Sequence, residues 1–75
     1  MTKLPAVSWK DAVKALERAG FIFDRQRGSH MVFYHPESQA TAVVPRHAAI
    51  KKGTLAHILK QAGLTRDEFL KLIKE

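Results

Sequence analysis

The sequence predicts an α+β domain in the order α-β-β-β-α, with a short further helix at its end. Three observations carry this. Apolar residues recur at helical spacing from Trp9 to Ala19 and again from Leu55 to Ala62. Between them lie three stretches rich in aromatic and branched residues, Phe21 to Arg25, His30 to His35 and Ala40 to Val44. A tight turn containing Gly28 joins the first two stretches and Pro36-Glu37-Ser38-Gln39 the next two, which is the signal of antiparallel hairpins. The 75 residues read as one domain, 1–75, with a modest core. A three-stranded antiparallel sheet with helices on one face leaves its other face open to a partner.

The first helix starts after Ser8, whose hydroxyl can accept from an orphan backbone N–H. Asp11 suits the positive end of that helix. Trp9, Ala12, Val13, Leu16 and Ala19 make one apolar stripe, and Lys10, Lys14, Glu17 and Arg18 take the remaining surface. Arg18-Ala19-Gly20-Phe21 has an echo in Gln61-Ala62-Gly63-Leu64. Each reads as a helix stop, with an apolar residue folding back after the glycine. Gly28 marks the turn between the first two strands, and Pro36-Glu37-Ser38-Gln39 the turn between the next two. Alternation puts His30, Val32 and Tyr34 on one sheet face and Met31, Phe33 and His35 on the other. Met31 and Phe33 are the expected core set, with Phe21 and Phe23 as neighbours, so His30 faces away from the helices. A one-residue bulge would reverse such an assignment. Thr54 is the expected cap of the next helix, whose buried stripe is Leu55, Ile58, Leu59 and Ala62. Thr65-Arg66-Asp67-Glu68 has capping-box spacing, and Phe69, Leu70, Leu72 and Ile73 give the final helix its apolar side.

Thirteen Lys and Arg against seven Asp and Glu give a formal charge of +6. On a domain this small the excess favours a polyanion, nucleic acid before a membrane surface, because the lysines do not gather on one amphipathic segment. With no cysteine there is neither a disulfide nor a thiolate metal site, which suits the cytoplasm. No apolar run is long enough to span a bilayer, and Met1-Thr2-Lys3-Leu4-Pro5 lacks the apolar core of a signal peptide.

The candidate chemistry centres on Arg25-Gln26-Arg27-Gly28-Ser29-His30, which sets positive charge and an imidazole on one tight turn. An imidazole takes and returns protons near neutral pH. RNA carries its own nucleophile, the 2′-hydroxyl. A ribonuclease therefore needs a base for that hydroxyl, an acid for the leaving 5′-oxygen and cations for the charge on phosphorus, and no metal. Arg25, Arg27, Lys51 and Lys52 are the candidate cations. Gly28 lets the backbone approach a phosphate, and Ser29 either bonds a phosphate oxygen or braces the turn. A solvated turn histidine remains the plainer reading of His30 taken alone. Arg46-His47 and Lys51-Lys52 bracket the start of the second helix, where N–H groups and cations suit a phosphate, or simply form a basic loop. His47 is a possible second proton carrier. His35 reads as a strand-end residue packed near its turn, and His57 as a solvent-facing helix residue. The four histidines include no His-x₃-His pair, so no metal site is expected. Nothing points to a nucleotide loop or a small-molecule cofactor. Tyr34 on the open face suits stacking on a base or packing against a protein.

Taken in order, Gly20-Phe21, Arg25 to His30, His35-Pro36, Val44-Pro45-Arg46-His47, Gly53-Thr54-Leu55 and Ile58 to Leu64 resemble the HicA family of bacterial toxins. The match runs from about residue 8 to 73. The resemblance implies a double-stranded-RNA-binding-domain-like fold. It implies the toxin of a type II toxin–antitoxin system, a ribosome-independent endoribonuclease (mRNA interferase) that cuts messenger RNA without a metal. It also implies a HicB-type antitoxin that masks the active face. The family's catalytic histidine falls on His30 and its Gly-Ser turn on Gly28 and Ser29. The assignment of Arg25, Arg27, Lys51 and Lys52 to substrate binding comes from charge and position. The competing expectation is a non-catalytic module that grips double-stranded RNA by shape and phosphate contact. A third is an interaction protein using a patch of Ile22, Val32 and Tyr34.

Overall fold

The computed structural model describes residues 6–74. Met1 to Pro5, read above for a signal peptide, lie outside the described residues. The elements are α1 (Trp9–Arg18), β1 (Ile22–Arg27), β2 (His30–Tyr34), β3 (Thr41–Pro45), α2 (Lys52–Ala62) and α3 (Arg66–Lys74). The strands form one antiparallel sheet in the order β1-β2-β3. This is the α+β arrangement that the sequence predicts, with its extra terminal helix.

Local chemistry sets the helix ends. Ser8 Oγ accepts from the Asp11 N–H, and the Asp11 carboxylate accepts from the Ser8 N–H, so Asp11 completes a capping box as well as suiting the helix dipole. The two echoed stops close alike. The Phe21 N–H reaches the Leu16 carbonyl at 2.9 Å, and the Leu64 N–H reaches the Leu59 carbonyl at 2.9 Å, each across a glycine of positive φ. Thr65 and Glu68 make the predicted capping box at the start of α3. The start of α2 differs from expectation. The helix begins at Lys52 with Lys51 as its N-cap, no side chain caps it, and Thr54 lies inside its first turn. The chain is already committed by then, because Val7 and Ile50 pair as an isolated bridge and the Leu55 N–H bonds the Lys51 carbonyl.

The core lies between the helices and one face of the sheet. Phe33, Phe69, Leu16, Leu55, Ile58 and Val44 are its largest fully buried side chains. Burying one side chain of this size contributes roughly 1.5–3 kcal/mol. Ala15 joins Ala12 and Leu16 on the buried face of α1, a member of the stripe that the spacing had not included. The Arg18 guanidinium donates to the Leu72 carbonyl at 2.6 Å and ties α1 to α3. Phe21 and Phe33 are core residues as expected, and Met31 packs against the core half-buried. Phe23 is not in the core: it meets Phe33 edge to face but stays 50% exposed. β1 is an edge strand exposed along its whole length, so the helical layer does not reach over Phe23. Val32, expected in a surface patch, is buried within the open face beside Val43 and Arg25, whereas Ile22 opposite Tyr34 is exposed.

The β2–β3 connection is organised by His35. Its Nδ1 accepts from the Glu37 and Ser38 N–H groups, both at 3.2 Å, and its ring stands edge-on to Phe21. Among the described residues no helix is long and apolar enough to cross a membrane.

Two stability results follow. A Cβ at Gly20 would lie 2.8 Å from His35 Nε2, on a backbone with φ of +102°. Gly20→Ala should destabilise by about 1–3 kcal/mol, whereas Gly53→Ala, in the first turn of α2 with open space around it, should be neutral or stabilising by up to about 1 kcal/mol; urea unfolding compares them. At Glu68, the Thr65 N–H and then the Thr65 hydroxyl hold the carboxyl below its ordinary value. A lowered folded value adds stability above the unfolded pKa and loses it as pH falls through the folded one. Glu68→Gln should therefore flatten that acid-side fall in the urea midpoint.

Candidate active site

Sheet geometry places the candidate residues, beginning with β1. Phe23 pairs with Phe33 and Arg25 with Val32, so the register shifts between them and Asp24 is an extra residue. Without the shift, residues 23, 25 and 27 would share the helix-side face. The bulge sends Arg25 and Arg27 to the open face instead, with Val32 and His30 as their partners. The irregularity thus acts on β1 and leaves β2 in the orientation read from its alternation. His30 is exposed on the open face, opposite Arg27 on one side and Pro45 on the other.

Arg27 and His30 are joined by the two-residue turn Gly28-Ser29. Gly28 carries a φ of +59°, as the first central residue of a type II′ turn requires. Nothing lies within 4 Å of a Cβ built there, so the turn tip is open. Gln26 Nε2 braces the turn by donating to the Gly28 carbonyl at 3.0 Å, and the Ser29 carbonyl accepts from the Arg46 N–H at 2.7 Å. Ser29 therefore ties the hairpin to the end of β3 through its backbone.

The stretch after β3 is pinned at several points. The His47 carbonyl accepts from the Trp9 N–H, Ile50 pairs with Val7, and the Arg46 guanidinium lies over the Trp9 ring at 4.9 Å. α2 then packs beside β3. Its Gln61 Oε1 accepts from the outward N–H of Val43 at 3.2 Å, supplying a side-chain partner where an edge strand has no neighbour.

These elements enclose an open groove of about 450 Å³, within the range of small-ligand pockets. His30, Val43 and Pro45 form its sheet wall; Thr54, His57 and Gln61 form its helix wall; His47, Ala49, Ile50 and Lys51 close one end. Among the described residues that line it there is no carboxylate. His30 and Lys51 are the sequence-selected residues that meet in the groove. Gly28 and Ser29 adjoin it through the turn. Arg25 and Arg27 share the open sheet face without lining the groove, and the Arg25 guanidinium makes an exposed ion pair with Asp24 at 2.6 Å. Lys52 is exposed in the first turn of α2 outside the lining residues.

His57 is exposed, but its surface faces this groove, and Thr54, His57 and Gln61 were not selected from the sequence as site residues. The available signal was their i, i+3, i+7 spacing, which puts a polar line on α2 beside its apolar stripe. Three histidines line the groove, yet among the described residues no group of three or more histidine or carboxylate side chains is placed to hold a metal ion.

A family model described as "HicA toxin of bacterial toxin-antitoxin" matches residues 9–64, from the first residue of α1 to the residue that folds back after α2. Every groove residue falls inside that span. No curated protein matches the chain.

The Gln61–Val43 bond is the polar part of the clamp between helix and strand. Gln61→Ala should cost about 1 kcal/mol and speed amide exchange at Val43, while exchange at Phe33, in the middle of the sheet, follows only the change in global stability.

Proposed function

The chain belongs to the HicA family of bacterial toxin–antitoxin toxins, and we propose that it is a ribosome-independent endoribonuclease of a type II system, an mRNA interferase in which His30 is the catalytic histidine. The observation that carries this reading is the setting of His30. Its ring is exposed on the open face, between Arg27 and Pro45, at a groove with Lys51 and no lining carboxylate. A phosphodiester entering there meets a proton carrier and positive charge without a nearby repelling carboxylate. The substrate supplies the nucleophile through its 2′-hydroxyl, so the proposed reaction is metal-independent and uses no cofactor.

The remaining roles follow from position. Arg25 and Arg27 hold flanking phosphates along the open face, and Lys51 draws the scissile phosphate towards the groove, with Lys52 beside it on the surface. The open turn tip at Gly28 and Ser29 lets the strand pass close to the backbone. A HicB-type antitoxin neutralises the toxin by covering the same face. The messenger substrate places the activity in the cytoplasm.

Purified full-length chain and its His30→Ala variant, incubated with messenger RNA, test this. The variant should lose about 10²–10⁴-fold in cleavage rate while binding RNA nearly as well. Arg25→Gln and Arg27→Gln should each weaken binding at low salt and reduce the slope of log affinity against log salt by about one. Equal cleavage by parent and His30→Ala would overturn the assignment of His30. RNA left intact by the parent, but bound with a steep salt dependence, would make the protein a double-stranded-RNA-binding module instead.

A further inference from the structure

We infer that His57 is the second proton-transfer group of this site, paired with His30 across the groove; the inference rests on the endoribonuclease reading above. The two rings come from opposite walls, His30 from β2 and His57 from α2. Gln61 bonds Val43, which fixes where α2 lies along β3. His57 stands one turn earlier, about 6 Å back along the helix. Pro45 stands two residues further along β3, about 6.6 Å from Val43. α2 runs back along β3 from the connection that follows Pro45, so these displacements match and bring His57 level with Pro45. Pro45 is the cross-strand partner of His30. The carrier helix is rigid, because Leu55, Ile58 and Leu59 on its other side are buried. His47 also lines the groove, but from its end, beyond Pro45.

The step balances with two imidazoles. One ring, neutral, takes the 2′-hydroxyl proton as the bond from O2′ to phosphorus forms. The other, protonated, gives its proton to the 5′-oxygen as the bond from phosphorus to O5′ breaks. The products are a 2′,3′-cyclic phosphate and a 5′-hydroxyl; the rings have exchanged protonation states and no water is consumed. Facing His57 are His30 from β2 and His47 and Lys51 from the groove end; Lys60 is its charged neighbour one turn on along α2, and among the described lining residues no carboxylate is present. One neutral and one protonated ring are needed at once, which gives a bell-shaped rate against pH.

The test is single-turnover cleavage of a short RNA by the full chain, its His57→Gln and His47→Gln variants, between about pH 5 and 9. His57→Gln is expected to fold, because the site is exposed and glutamine is a good helix former; its thermal unfolding is the control. Expected are a bell for the parent, a loss of about 10²–10⁴-fold in rate with little change in KM for His57→Gln, and one limb missing from the variant's profile. Cyclic-phosphate and 5′-hydroxyl ends on the parent's products are also expected. An intact bell and rate in His57→Gln, or a lost limb in His47→Gln instead, would overturn the inference while leaving the ribonuclease reading in place; 5′-phosphate products would overturn the inference together with the 2′-hydroxyl route, leaving only RNA cleavage as such. Absence of any cleavage by the parent would overturn both.

Discussion

A strand can bury only every second side chain against a layer on one side, and in β2 Phe33 makes that selection. Phe33 is fully buried and packs with Leu16, Val44 and Phe69. Once it points into the helices, the two-residue period turns His30, Val32 and Tyr34 outward. A slip of one residue would bury an imidazole and a phenol and expose one of the largest side chains in the core, so the register is strongly specified. The position of His30 is therefore a consequence of core packing and does not depend on contacts made by His30 itself.

β1 obeys a second constraint. Its residues follow Phe21, which is anchored in the core beside the helix stop. An unbroken alternation from there would put Arg25 and Arg27 on the same side as Phe23, towards the helical layer. The single extra residue, Asp24, moves both arginines across the sheet to the face that carries His30. The cost is local, because β1 is an edge and a bulge there leaves the core pairings of β2 and β3 undisturbed. Gln61 does corresponding work at the opposite edge. It answers the outward N–H of Val43 and sets α2 beside the sheet, and a groove results where strand and helix surfaces diverge.

Much of this was legible in the residues. Period-two and helical spacing separate the elements, glycines and capping residues mark most ends, and the outward face of His30 follows from alternation alone. The bulge was not legible, since Ile22 to Arg27 contains no glycine or proline to announce it. Nor was the start of α2: Thr54 is a good cap by type, but the Val7–Ile50 bridge and the burial of Leu55 commit the chain before it. His57 was read as facing solvent, which its exposure agrees with. Only the distance between α2 and β3 shows that the solvent it faces is shared with His30, and that distance is tertiary, set by Gln61 and the apolar stripe together.

The open edge of β1 links stability to function in a further way. An unpaired strand invites another chain to add to it, and proteins resist this with charges and bulges. β1 has both from Asp24 to Arg27, and neither at Ile22 and Phe23, which are about half exposed. The arginines offered above to phosphate thus also guard the edge. Under the proposed function, neutralising them alters self-association along with RNA affinity, and the two effects respond oppositely to salt. Phosphate binding weakens as salt rises, because counterions compete for the same charges. Apolar edge pairing gains, because repulsion between neighbouring copies is screened. On that reading, a variant whose RNA affinity falls most at low salt has lost phosphate contacts, and one that forms larger species already at low salt, where the parent's charges still repel, has lost its guard.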